Sequence, residues 1–207
     1  LGVGAGMMKM YGNRALRWIA EFYIWLFRGT PVLIQLIIIY TGLPQLGIRL
    51  TVIESAIIGL ALNEGAYLAE VIRSGIMSVD KGQTDASRAV GMTWRQRMWI
   101  VILPQATRTI IPPLGNQFNG MLKTTSLASV ISMQELMRNA QMLAQIEFRV
   151  LEAYIVAAFW YLVLVSIWSM IQVRIEAHYE KPFGPAAAVS PDAKKDIEKI
   201  LRNSGQA

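Results

Sequence analysis

The chain has 207 residues, 54% of them hydrophobic, with a mean hydropathy of +0.37 and a formal net charge of +6. A composition this apolar excludes an ordinary soluble domain and points to membrane embedding. With no cysteine there is no disulfide framework or thiolate metal site, and the basic residues do not gather into the single polar domain that nucleic-acid binding needs.

The opening LGVGAGMMKM has no charged n-region and is not a signal peptide. It reads as the last turns of an apolar helix, so a further span is expected before residue 1. The first recognisable span lies within Trp18–Tyr40, broken at Phe27-Arg28-Gly29-Thr30-Pro31. Its purely apolar part, 32–40, is too short to cross a bilayer alone. Residues 20–27 must therefore supply a lead-in helix or the lower half.

A second span covers about 52–77 although it carries Glu54, Glu64, Glu70 and Arg73. A third covers about 99–122 and contains Pro104, Pro112 and Pro113, which predict an interrupted helix. The fourth is the clearest: 21 uncharged residues separate Glu152 from Arg174, close to the ~20 that a crossing helix needs. His178, the single histidine, stands at the end of this run and reads as an interfacial side chain rather than a ligand.

Lys9, Arg14 and Arg17 precede the first span, Lys81, Arg88, Arg95 and Arg97 fill the central connector, and Arg174 and Lys181 open the tail. The connectors near 42–51 and 124–151 are poorer in Lys and Arg. The alternation places residues 78–98 and the C-terminus in the cytoplasm. Beyond 181 the composition changes, and Ser190-Pro191 predicts the start of a short helix in an otherwise polar tail. The expected organisation is a membrane domain over 1–180 and a cytoplasmic tail over 181–207.

The central connector has more local order than a loop needs. Asp80 with Gln83, and Thr93 with Gln96, have capping-box spacing. Gly91 falls where a left-handed cap stops a helix. The pattern predicts two short helices, 81–90 and 94–103, the second limited by Pro104. Small residues (Ala86, Ser87 and Ala89) permit close approach of a partner, and Asp85 with Arg88, three apart, can pair or reach across to it. By residue type alone, a solvated amphipathic connector is an equal reading.

Residues 85–104, DASRAVGMTWRQRMWIVILP, resemble the EAA motif of ABC-importer permeases. Asp85-Ala86-Ser87 stands for the Glu-Ala-Ala triplet, followed at the family's spacing by Gly91 and by Val101-Ile102-Leu103-Pro104. Asp85, Ser87 and Val101 depart from the family's Glu, Ala and Ile. FRGTPVLIQ (27–35), NEGAYLAEVIRSGIMSVDKGQ (63–83), LPQATR (103–108), PPLGNQF (112–118) and LKTTSLASVI (122–131) are similar to the polar amino-acid uptake branch, in order.

The resemblance implies an all-α integral membrane protein with the type I ABC-importer permease fold, four recognisable spans of an expected five, in a prokaryotic inner membrane. It implies a non-catalytic subunit whose connector is a coupling helix. The implied partners are cytoplasmic ATPase subunits that bind ATP and Mg, a second permease subunit, an extracytoplasmic amino-acid-binding protein and the amino acid itself. The coupling residues would be Asp85, Ala86, Ser87, Arg88 and Gly91. Independently, the chain has no G-x-x-x-x-G-K-[ST] loop to cradle phosphates, so ATP chemistry would belong to another chain.

Polar residues within the spans are the candidate substrate path. Glu64 falls near the middle of its span, where a carboxylate is costly. Asn63, Tyr67, Glu70 and Ser74 share one helix face, and Glu70 with Arg73 suits a structural ion pair near the cytoplasmic end. Asn116, Asn119 and Lys123 share a face just after Pro112-Pro113, where broken backbone would border a cavity. Asn116 and Asn119 also suit plain interhelical hydrogen bonding, and Lys123 can snorkel to the outer interface. For an amino-acid substrate, Glu64 is expected on the ammonium side and Asn116, Asn119 or Lys123 on the carboxylate side.

Two other classes stand beside this reading. A membrane enzyme could use Glu64 and Glu70 as acid and base, but no nucleophile or metal-ligand cluster accompanies them. An ion-gradient-driven transporter would not require a structured cytoplasmic connector.

Overall fold

The computed structural model describes residues 1–179 and, over them, is built of helices. The tail helix expected from Ser190 lies outside the described residues. In chain order the α-helices are α1 (Gly2–Tyr11), α2 (Arg14–Gly29), α3 (Val32–Ile37), α4 (Val52–Met77), α5 (Lys81–Ala89), α6 (Trp94–Gln96), α7 (Leu103–Thr124), α8 (Leu136–Glu147) and α9 (Val150–Tyr179).

The 26-residue α4 is the centre of the molecule, packed against α1, α2, α3 and α7, while α9 lies outside, against α7 and α8. Thr51 and Glu54 close a reciprocal capping box at the start of α4, satisfying two of its free backbone donors. Small residues let neighbours approach α4 closely. Gly2 and Gly6 of α1 lie against Leu68 and Ala69, and Gly59 faces Leu36 of α3. This is the packing expected where lipid supplies no hydrophobic drive between helices. At Gly75 an added Cβ would overlap the Ile110 side chain of α7. Gly75→Val should cost ~1–3 kcal/mol as overpacking, read as a lowered thermal midpoint of the detergent-purified protein. An unchanged midpoint would show that α4 and α7 are not held in this register.

Among the described residues α4 and α9 are each long and apolar enough to cross a membrane alone. The expected first span is not straight: α2 and the helical run Val32–Leu46 meet at 105°. The break has a polar cause. Pro31 starts α3, and Gln35 donates through Nε2 to the Phe27 carbonyl (3.0 Å), the Thr30 carbonyl (3.0 Å) and Thr30 Oγ1 (2.8 Å). Carbonyls freed by the bend are thus satisfied inside the protein, as hydrocarbon surroundings demand. Residues 20–27 therefore form a lead-in helix, with Trp18, Phe22 and Trp25 forming an exposed aromatic row along it.

Three proline expectations are corrected. The helix after the connector does not stop at Pro104, because residues Arg97–Ile102 form a π-helical turn that runs straight into α7. A wider turn accommodates the ring, which in a regular helix clashes with the carbonyl four residues back. Gln105 Nε2 caps the Val101 carbonyl at 3.0 Å. Pro112 and Pro113 do not interrupt α7 either; the helix is continuous from Leu103 to Thr124. Proline's fixed φ suits a helix, and the α4 and α9 neighbours hold this stretch on either side. No broken backbone therefore borders Asn116.

The segment 124–151 is more ordered than a connector. It holds a 3₁₀ stretch, Thr125–Ile131, and then α8, whose N-cap Glu135 accepts from the backbone of Met137 (2.8 Å) and Arg138 (2.6 Å). Ala140 and Ala144, one helical turn apart, are the buried residues of α8.

Candidate functional site: the connector helix and the polar core

The connector between α4 and α7 is helical, as its caps require. Asp80 accepts from Gly82 N (2.8 Å), but the expected box with Gln83 does not form. Gln83 instead accepts from Gln105 Nε2 at 3.4 Å, a long bond toward the base of α7. The Thr93–Gln96 box does form, with both reciprocal bonds present. Gly91 takes φ +78°, ending α5 in the left-handed region. Ser87 is buried, its hydroxyl donating to the Thr84 carbonyl at 2.7 Å, while Asp85, Ala86, Arg88, Ala89 and Val90 are exposed. Asp85 and Arg88 pair at 3.4 Å on the open surface, worth little to stability there. The small side chains thus form the outward face of a helix fixed at both ends.

The polar residues of the spans separate into distinct environments. Asn63 is buried at the α2–α3 elbow, donating to the Phe27 carbonyl (2.9 Å) and Gln35 Oε1 (3.1 Å). Tyr67 lies under the guanidinium of Arg28, 5.1 Å from ring centre to Cζ. Glu70 is held by two cations, Lys9 of α1 at 2.6 Å and Arg73 at 2.9 Å. One stripe of α4 thereby joins it to α1 and α2. Lys9 is the partner that spacing along α4 could not reveal.

Glu64, about 100° round α4 from Asn63, meets α7. Its Oε2 accepts from Gln117 Nε2 at 2.6 Å, and among the described residues no cation pairs with it. Both line a cavity of about 620 Å³ between α1, α4, α7 and α9, otherwise walled largely by apolar groups such as Leu68, Phe118 and Trp168. Gln117 was not singled out in the sequence, although it is the nearest polar neighbour of Glu64. Its offset from Asn116 by one residue puts it on a different helix face.

The structure does not bring Asn116, Asn119 and Lys123 together around Glu64. Asn116 is exposed and accepts from Gln172 Nε2 of α9 at 3.1 Å, while Gln172 also donates to Glu176 at 2.8 Å. Asn119 has a buried Oδ1 with no hydrogen-bond partner among the described residues. Lys123 is exposed and lines a second cavity, of about 510 Å³, with Tyr154 and Tyr161. Tyr161 in turn donates to Glu135 at 3.0 Å. Among the described residues no group of His, Asp and Glu is arranged to hold a metal ion.

Residues 1–181 match the family described as binding-protein-dependent transport system inner membrane component. The chain is 42% identical to an arginine transport system permease protein of Corynebacterium glutamicum, over 87% of this chain and 62% of that protein, so it spans less than two thirds of that relative's length. It is 41% identical to a probable amino-acid ABC transporter permease of Vibrio harveyi (88% and 83% covered) and 41% identical to an L-cystine transport system permease of Bacillus subtilis (87% and 78%). Among solved structures it superposes on an amino acid ABC transporter crystallised with histidines at a TM-score of 0.81, with 40% identity and 86% and 83% of the two chains covered. An inward-facing MetNI methionine ABC transporter, at 18% identity and a TM-score of 0.70 over 86% and 83% of the chains, shares the fold. The chain belongs to the family of inner membrane components of binding-protein-dependent transport systems, and its helices form the type I fold of ABC-importer permeases.

Proposed function

We propose that this chain is the permease subunit of an ATP-driven importer for a polar amino acid, working by alternating access. The observation that carries the reading is the connector: a capped helix between two spans, packed on the π turn Arg97–Ile102 and presenting Asp85, Ala86, Arg88 and the Gly91 bend outward. A rigid exposed helix at the cytoplasmic end of α4 and α7 converts a push from a docked ATPase into movement of both spans. A loop would absorb it. ATP and Mg would be bound by that partner, and two permease subunits would enclose the path with an extracytoplasmic binding protein delivering substrate. Nucleotide can drive the cycle only by favouring one of two membrane arrangements.

Within the span region, the Glu64 carboxylate supports a cationic group on the substrate, since its present partner is the neutral Gln117 amide. The polar amino-acid substrate class is supported by the relatives, whose names include arginine and cystine transport. The test is uptake into proteoliposomes that hold this chain with its co-purifying chains and an external binding protein. Uptake of a polar amino acid is expected to require ATP inside and to stop with a non-hydrolysable analogue. Uptake driven by an ion gradient without ATP would overturn the reading.

A further inference from the structure

α1 ends against the second helix of the connector. The Tyr11 ring meets the Trp94 ring edge-on, with centroids 5.4 Å apart, and the Arg97 charge is close enough to act on the Tyr11 hydroxyl. Two arginines stand on either side of this contact. Arg14 and Arg17 open α2 directly after Tyr11, and Arg95 and Arg97 follow Trp94. Arg14, Arg17 and Arg95 are exposed. None of the four has a carboxylate partner, since the ion pairs among the described residues are Lys9–Glu70, Arg73–Glu70, Arg88–Asp85 and Arg149–Glu152. Even Glu21, one turn beyond Arg17, does not pair with it. Arg14 and Arg17 also lie at the end of α2 where the helix dipole disfavours cations, and no acidic residue in its first turn offsets them. The corner carries positive charge that the described residues leave unbalanced.

Beside the charges runs an apolar strip. Arg14, Trp18, Phe22 and Trp25 fall within about 80° round α2, away from the buried Ala20 and Ile24. Trp18 stacks on Phe22 at 5.7 Å, and Phe22 meets Trp25 at 5.9 Å. The outer faces of the row stay open, with Trp18 66% and Trp25 68% exposed. α2 belongs to the bent pair that is apolar enough to cross a membrane. From Arg14 to Trp25 the strip is about 16 Å long, about half of the ~30 Å hydrocarbon thickness of a bilayer. A soluble anion would use the arginines and leave the strip bare. A ligand that uses both has an anionic headgroup and an apolar chain as long as one leaflet.

We propose that this corner is a binding site for an anionic phospholipid of the leaflet on the connector side. Arg14 and Arg17 hold the phosphate, with Arg95 and Arg97 adding to the field, and an acyl chain lies along Trp18, Phe22 and Trp25. Guanidinium suits the role because its planar fork meets phosphate oxygens through two parallel N–H donors. The Tyr11–Trp94 contact joins the corner to the connector, so the lipid braces α1, α2 and α6 against one another. The inference does not depend on which solute the chain carries.

The test is lipid binding by the full chain, purified in detergent with its co-purifying chains. Dioleoylphosphatidylglycerol and dioleoylphosphatidylcholine, which share their tails, are titrated separately, and bound lipids are counted by native mass spectrometry. One phosphatidylglycerol per chain should bind about 10-fold or more tightly than phosphatidylcholine, as several basic side chains at one headgroup imply. Arg14→Gln combined with Arg17→Gln should bring that ratio close to one. Arg49→Gln, in the connector at the other end of α4, should leave it intact. Trp18→Ala combined with Trp25→Ala should weaken phosphatidylglycerol binding several-fold.

A preference that survives the double arginine change overturns the proposal, as does a parental chain that binds both lipids equally. Phosphatidylglycerol binding unmoved by the double tryptophan change overturns the acyl-chain contact and with it the lipid assignment. Displacement of phosphatidylglycerol by inorganic phosphate would make this a soluble-anion site and refute it too. An unchanged lipid preference with loss of a co-purifying chain would make the arginines a protein contact instead. Should the double arginine variant not fold, salt decides on the parental chain. Raising ammonium acetate from about 0.1 M to about 1 M shortens the screening length from about 10 Å to about 3 Å. The preference should then fall several-fold, and a preference unmoved by salt refutes the site.

Discussion

Ala86→Glu is expected to abolish ATP-driven uptake and release the ATPase while leaving the membrane domain folded. Ala86 is exposed on α5, so the longer side chain meets no neighbour within this chain and has no reason to unfold it. In a groove on a partner the same carboxylate would be desolvated without a counter-charge, at a cost of about 2–5 kcal/mol, or roughly 30- to several thousand-fold in affinity. Gly91→Val should give the same loss by another route. Its φ of +78° forces a β-branched residue into the left-handed region, although open space surrounds the position. The cost is ~1–2 kcal/mol locally, and α5 ends at a different angle. Asp85→Asn should matter least, since its pair with Arg88 is solvent-exposed. Co-purification of the ATPase and uptake are the readouts. Full assembly and uptake by Ala86→Glu would mean that α5 is not the contact.

The pattern of success along the chain follows the range of the forces involved. Local signals were legible: the Thr93–Gln96 box, the left-handed Gly91 and the apolar run of α9 each depend on residues within a turn or two. The prolines misled for the opposite reason. Whether Pro104 or Pro112 breaks a helix depends on a π turn and on flanking helices, neither written at the proline itself. α8 was passed over because its apolar face is mostly alanine and methionine, a weak hydropathy signal beside the true spans.

The polar core shows the same limit. That Glu64 is unusual could be read from its position in an apolar run. Its environment could not, because Gln117 lies 53 residues away. Helical spacing grouped Asn63, Tyr67 and Glu70 correctly on one face, but not what that face meets. The elbow that captures Asn63 is set by Pro31 and by Gln35, which gathers the carbonyls of Phe27 and Thr30 from further along the chain. Asn116, Asn119 and Lys123 likewise share spacing on α7 but face different neighbours, since α9 and the 3₁₀ stretch cover that helix unevenly.

Glu64→Gln is the sharpest test of the membrane site because it changes charge with little change in shape. The glutamine can still meet the Gln117 amide, so the bridge between α4 and α7 has a neutral replacement and the fold should hold. An acidic cavity wall becomes a neutral one beside Leu68, Phe118 and Trp168, where no described cation relied on the carboxylate. Removing a desolvated partner of a substrate ammonium costs about 2–5 kcal/mol, so uptake at subsaturating substrate should fall by roughly 30-fold or more. ATPase assembly and the thermal midpoint should stay at parental values. Glu70→Gln is the contrasting variant: it strands Lys9 and Arg73, so it should lower the midpoint. If Glu64→Gln instead left both uptake and substrate affinity unchanged, its carboxylate would be structural, and the path would have to run along another face of α4.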